Sequence, residues 1–157
     1  MDDMLTGRCT CGQVHYAMPR PMFTHCCHCS WCQRESGSAF ALNAIVETAA
    51  LRIEGDLESV RLPSASGKGQ EVQRCPSCRV ALFSHYAGAG RALAFVRVGT
   101  LDAPGACPPD VHIFTSTALP WVVIPEGVRR FENYYSTRAE WPADSLERRK
   151  MAIAAAS

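Results

Sequence analysis

What this chain has least of is charge imbalance. Its 16 Lys and Arg stand against 15 Asp and Glu, a formal net charge of +1 over 157 residues. It therefore carries no broad field to draw nucleic acid or an anionic membrane. The one local basic cluster, Arg148-Arg149-Lys150, reads as the solvated face of a terminal helix. Long apolar runs are missing too: none approaches the ~18 residues a spanning helix needs. The start, Met1-Asp2-Asp3-Met4, is acidic, so no secretion signal is expected and the default compartment is the cytoplasm. No internal repeat is present. With 47% hydrophobic and 20% charged residues, the chain is expected to bury one ordinary core as a single domain.

Cysteine, by contrast, is plentiful. Nine cysteines, an odd number without a signal segment, fit thiolate-metal chemistry in a reducing compartment better than a disulfide framework. Seven fall in three tight clusters: Cys9-Thr10-Cys11, Cys27-His28-Cys29-Ser30-Trp31-Cys32 and Cys75-Pro76-Ser77-Cys78. Two thiolates one or two residues apart grip a single tetrahedral zinc, and two such turns close a four-sulfur site. Four from seven leaves three, and a zinc with three protein ligands keeps a position open for water or substrate. Spacing does not say which pair meets which. Alone, Cys75-x-x-Cys78 also reads as a thioredoxin-like redox pair, although that motif wants a βαβ setting. Cys9 and Cys11 alone also read as small buried residues. The triple becomes a closed structural site if Cys26, His25, His28 or Cys107 supplies a fourth ligand.

Gly and Pro, 11 and 10 residues, separate short apolar segments that read as strands: Val14 to Ala17, Phe40 to Val46, Leu57 to Leu62, Val80 to Tyr86, Leu93 to Leu101, Val111 to Phe114 and Val122 to Ile124. The fold class is mainly β. Alternation from Leu93 sends Leu93, Phe95 and Arg97 to one face and Ala94, Val96 and Val98 to the other. The stretch Pro63 to Gln70 is expected to be a polar connector without function. A helix is expected over Ala143 to Ala156, with Pro142 near its start, and a shorter turn after Cys29.

Several polar residues carry two readings each. His28 is a proton-transfer or hydrogen-bonding neighbour of the metal, or a solvated or capping histidine; His112, in an apolar strand, is a satisfied core histidine. Arg34 with Ser36-Gly37-Ser38 is a carboxylate-binding stretch or plain surface. Trp31 and Trp121 wall a pocket or pack in the core. Cys26 and Cys107 are buried inert thiols or spare ligands.

Taken together, the motifs resemble the glutathione-dependent formaldehyde-activating enzyme (GFA) family, which includes centromere protein V. The resemblance lies in Gly7-Arg8-Cys9-Thr10-Cys11-Gly12-Gln13-Val14-His15-Tyr16, in Cys27 to Cys32 followed by Arg34, Gly37, Ser38 and Phe40, and in Cys75-x-x-Cys78. It continues through Gly99-Thr100-Leu101-Asp102, His112-Ile113-Phe114 and Leu119-Pro120-Trp121. Ordered, spaced motifs are far more specific than any one. The resemblance implies an Mss4-like β-tent zinc fold, with residues 1–135 as the zinc-binding body and 136–157 as a helical extension of the same domain. It implies that Cys9, Cys11, Cys75 and Cys78 hold a structural zinc, and that Cys27, Cys29 and Cys32 hold a catalytic one. Two positions depart from the family pattern: Arg79 replaces a Gly suited to positive φ, and Ala118 replaces a Lys before the Pro-Trp.

The implied activity is a carbon-sulfur lyase reaction, that of S-(hydroxymethyl)glutathione synthase, which joins a glutathione-like thiol to formaldehyde or a related aldehyde. The implied partners are these small molecules, not nucleic acid or membrane. Two alternatives share the residues: a thiol carrier that binds without catalysis, and a non-enzymatic zinc scaffold for a macromolecule.

Overall fold

The computed structural model describes residues 3–157; Met1 and Asp2 of the acidic start lie outside them. The strands are β1 (Leu5–Arg8), β2 (His15–Met18), β3 (Phe23–Cys27), β4 (Ala41–Glu47), β5 (Arg52–Glu54), β6 (Glu58–Leu62), β7 (Gln70–Arg74), β8 (Ala81–Tyr86), β9 (Leu93–Arg97), β10 (Val111–Ile113) and β11 (Arg129–Arg130). Three helices, α1 (Ser30–Ser36), α2 (Thr137–Glu140) and α3 (Ala143–Ala156), complete the regular structure with four short 3-10 turns. The protein is mainly β, as the segment pattern predicts.

A small sheet, β1-β2-β5, packs against an eight-stranded sheet ordered β11-β10-β3-β4-β9-β8-β7-β6. The two faces of the large sheet bury separate cores. Ala94, Val96 and Val98 join Tyr16, Met18 and Val14 beneath the small sheet. Leu93 and Phe95 join Phe23, Ile45, Ile113 and Trp141 on the opposite face, so the alternation expected along 93–98 is the one found.

Helix α3 closes this second face. Ser145 Oγ donates to the Met22 carbonyl at 2.7 Å, Arg148 forks onto both oxygens of Glu47 at 2.7 Å, and Trp141 stacks on Phe23 at 5.6 Å. Among the described residues no helix is long and apolar enough to cross a membrane.

Some expected strands differ. Residues 122–124 form no strand, and Val123 is 86% exposed, because no neighbouring edge receives them. The 93–101 segment stops at Arg97 and turns through a 3-10 stretch, Val98–Thr100, whose Thr100 hydroxyl donates to the Arg97 carbonyl. Strand β7 was hidden by its polar sequence, QEVQR. It is held between β6 and β8, with the Gln73 amide donating to Ser59 Oγ and Glu71 Oε1. Strand β3, FTHCC, is buried along its whole length, which removes the polar–apolar alternation that marks a half-exposed strand.

Candidate active site and metal centres

Two turns build the first thiol cluster. After β1 the chain reverses at Cys9–Gly12, where the Gly12 N–H donates to the Cys9 carbonyl and Gly12 takes φ +78°. After β7 a matching turn closes with the Arg79 N–H on the Cys75 carbonyl. Arg79 adopts φ +66°, the left-handed conformation that the family's Gly accommodates without a Cβ penalty. The hydroxyl of Ser77 donates to Gln13 Oε1 at 2.7 Å and laces the turns together.

The sulfurs of Cys9, Cys11, Cys75 and Cys78 consequently lie within 4.8 Å of one another, with Cys9–Cys11 and Cys11–Cys75 both at 3.6 Å. Four bonds of ~2.3 Å around a tetrahedral zinc place sulfurs ~3.8 Å apart, so the donor set fits such an ion. Backbone N–H groups of Cys11 and Val80 bring the Cys78 thiol down to about 6.

The second cluster forms where β3 meets α1. Cys27 ends the strand, Cys29 is the N-cap, and Cys32 sits in the first turn with its N–H donating to Cys29 Sγ at 3.3 Å. The three sulfurs lie within 4.8 Å, all buried, and among the described residues no further Cys, His, Asp or Glu donor joins them at that separation. Hydrogen bonds from the Cys27 and Cys32 thiols, helped by the backbone N–H groups of Cys32 and Trp31, hold the Cys29 thiol far below its ordinary range. Donation to Cys29 correspondingly pushes Cys27 up. Three sulfurs on one turn fit a tetrahedral ion with one position free.

This trio forms part of the wall of a cleft of about 500 Å³, large enough for a small-molecule ligand. Trp31, His25, Tyr86 and Tyr134 line it with the sulfurs. The connector at 63–70 lines it too: Ser64, Ala65, Ser66 and Lys68 border the cleft, which corrects the expectation that this stretch is merely a link. The loop is drawn in by its own bonds, with Ser64 Oγ meeting Ser66 Oγ at 3.0 Å and accepting from the Gly69 N–H.

His25 Nδ1 pairs with the Tyr135 hydroxyl at 3.3 Å, and that hydroxyl accepts from Trp141 Nε1 at 3.1 Å. Burial, with the charge of Arg97 second, depresses His25 to about 3, so its ring is neutral at physiological pH.

Behind the trio lies a polar network that the sequence did not betray. Arg97 donates to Asn43 Oδ1 at 2.7 Å and Ser84 Oγ at 2.8 Å and approaches Glu35 Oε2 at 3.4 Å. Arg74 holds the other Glu35 oxygen at 2.7 Å. The Glu35 side chain is 6% exposed, and nothing in its α1 sequence distinguishes it from a surface acid. The register Asn43↔Arg97 between β4 and β9 is what assembles these groups.

The remaining candidates separate. Cys26 and His28 turn away from the trio to the opposite face of β3, grouped with His112. Cys107 packs in the core under the small sheet. Trp31 borders the cleft, while Trp121 is 71% exposed and does not; Arg34 is exposed and does not line it either. His112 is buried, with Nδ1 bonded to His28 and Nε2 unpaired, so it is not the fully satisfied core histidine expected.

The family model described as glutathione-dependent formaldehyde-activating enzyme matches residues 4–117. A search of curated proteins finds no significant match. Among solved structures, a Rhodobacter sphaeroides protein determined as a structural-genomics target is similar in fold, with a TM-score of 0.50 at 17% identity, over 81% of this chain and 99% of that one.

Proposed function

The chain belongs to the glutathione-dependent formaldehyde-activating enzyme family, and from that premise we propose that it is a zinc-dependent carbon-sulfur lyase-type enzyme joining a glutathione-like thiol to formaldehyde or a related aldehyde. The observation that carries this reading is the cluster of Cys27, Cys29 and Cys32 on the wall of an apolar cleft, three donors without a fourth among the described residues. In this reading Cys9, Cys11, Cys75 and Cys78 hold a structural zinc, and the trio holds the catalytic one. Residues 1–135 form the catalytic body, and 136–157 are an extension of the same domain that braces it through α3. Free thiols of this kind suit a reducing compartment such as the cytoplasm.

A zinc held by Cys27, Cys29 and Cys32 would supply one further position that favours the thiolate form of an incoming thiol, and a modest polarising effect on an aldehyde oxygen. The chain's own residues do the rest. Trp31, Tyr86 and Phe95 give the space beside the sulfurs an apolar wall, and charge interactions are stronger beside such a surface than in open water. Arg97 stands behind the trio and offsets its negative charge. Lys68, on the loop bordering the cleft, presents a cation to the carboxylates of a peptide thiol. The neutral His25 ring is held in orientation by Tyr135 and contributes an unionised wall.

The test is elemental analysis followed by titration with glutathione, with and without formaldehyde, while X-ray absorption follows zinc ligation. The expected result is an added sulfur ligand on glutathione binding, and S-hydroxymethylglutathione formation faster than the uncatalysed addition. Sulfur ligation without acceleration would identify a thiol carrier instead. Zinc that ignores the thiol would overturn both readings in favour of a scaffold.

A further inference from the structure

On the face of β3 opposite the cleft, Cys26, His28 and His112 each offer a donor atom within 4.8 Å of the other two. The arrangement follows from strand register. β10 runs parallel to β3 with His112 directly beside Cys26, and His28, two residues after Cys26, falls on the same face, its N–H continuing the ladder to the Ile113 carbonyl at 3.0 Å. All three are buried, at 1%, 0% and 6% exposure.

His28 Nε2 and His112 Nδ1 lie 2.8 Å apart, with the rings stacked at 5.1 Å. The outer nitrogens, His28 Nδ1 and His112 Nε2, have no partner. Two neutral imidazoles so placed share one hydrogen. Whichever ring donates it, the other is left with a buried N–H unpaired and the donor with a buried lone pair unpaired, each a costly state.

We propose that Cys26, His28 and His112 form a third metal site, separate from both cysteine clusters, that takes a borderline divalent cation of the zinc type. One thiolate and two imidazoles are a donor set suited to such an ion. With a cation between the facing nitrogens both of their lone pairs are used and both rings carry their hydrogen on the outer nitrogen, so two unpaired N–H groups replace one N–H and one bare lone pair, and the gain lies in the metal–ligand bonds themselves. The Cys26 thiol gives up its proton to solvent as its sulfur bonds the metal, and the bound ion keeps a net positive charge of one. Zinc–nitrogen bonds of ~2.0–2.1 Å at the tetrahedral angle span ~3.3 Å, so the rings part by about half an ångström. The nearest strand cation, Arg130, paired in register with His112, is turned onto the carbonyls of Ile124 and Pro125.

The site is independent of the proposed chemistry in the cleft, and the measurements separate them. The full-length protein is equilibrated with zinc, dialysed, and assayed for zinc per chain, and its zinc-edge fine structure is recorded. Three zincs per chain are expected, with the outer-shell scattering of two imidazoles, a signal that sites made of cysteine alone do not produce. Cys26→Ala and His112→Asn should each bring the count to two, with circular dichroism unchanged. Cys29→Ser should remove a different zinc and leave the imidazole signal in place. Two zincs per chain without imidazole scattering in the unmodified protein overturn the site while leaving the cleft reading intact. Two zincs with imidazole scattering that survives Cys26→Ala would place a histidine on the trio's metal and overturn the site equally.

Discussion

Replacing Arg97 by Met tests whether the network behind the thiol trio is a structural brace. The two side chains have similar reach, so the change removes charge and donors more than volume. The Arg97 side chain is 11% exposed and Glu35 is 6% exposed, and Arg97 satisfies Asn43 Oδ1, Ser84 Oγ and the Phe95 carbonyl as well as Glu35. Breaking one side of a buried pair costs ~3–5 kcal/mol because the partner charge is stranded. Here Arg74 still holds Glu35 at 2.7 Å, so the lower end applies, about 3 kcal/mol. At ~2–4 °C per kcal/mol for a chain of this size, the melting temperature should fall by ~6–12 °C. In the double variant Glu35→Gln/Arg97→Met the stranded charge is gone, and ~1–2 kcal/mol should return as a coupling term. The assay is guanidinium denaturation of zinc-saturated protein for the wild type, both single variants and the double variant. A cost below ~1 kcal/mol for Arg97→Met, or strictly additive effects in the double variant, would refute the brace.

Other outcomes follow from the same structure. Cys75→Ser should unfold or aggregate the protein, since a structural zinc contributes ~10–16 kcal/mol in small zinc domains, comparable to a domain's whole stability; Cys29→Ser should keep the fold and lose thiol binding, and calorimetry with metal analysis distinguishes the two. Arg148→Ala should destabilise the protein by ~1 kcal/mol at pH 7, because its fork onto Glu47 anchors α3. Burial disfavours ionised Glu47, but Arg148 outweighs it and holds the carboxyl below its ordinary value; that stability is present above the unfolded pKa of ~4.3 and is lost as pH falls through the lower folded value, so the melting curves of variant and wild type should converge below ~pH 4. Gly55→Ala should cost at least ~2 kcal/mol in denaturant melts, since Gly55 sits at φ +105° and a Cβ would lie 2.4 Å from the Gln13 carbonyl oxygen. Lys68→Ala should weaken glutathione binding by ~3–10-fold, as loss of one charged contact does, and leave affinity for an uncharged thiol unchanged; calorimetry with the two thiols reads the difference.

The local chelates belong to the sequence alone. Cys9-x-Cys11, Cys27-x-Cys29-x-x-Cys32 and Cys75-x-x-Cys78 set sulfur separations through a handful of backbone bonds, so their chemistry is legible before any fold exists. The alternation along β9 and the limits of α3 were equally readable, because period and flanking residues are local properties. Tertiary structure decided everything that depends on two distant segments meeting. The β1–β2 and β7–β8 turns come together across the two sheets, and no spacing encodes that encounter. Strand pairing turned Cys27 to the cleft and Cys26 to the other face, set His112 beside Cys26, and buried Glu35 against Arg97. It also folded residues 63–70 along the cleft, where composition suggested only a tether. A residue type states what chemistry is available, whereas the register of long-range pairing decides which groups are brought within reach of each other.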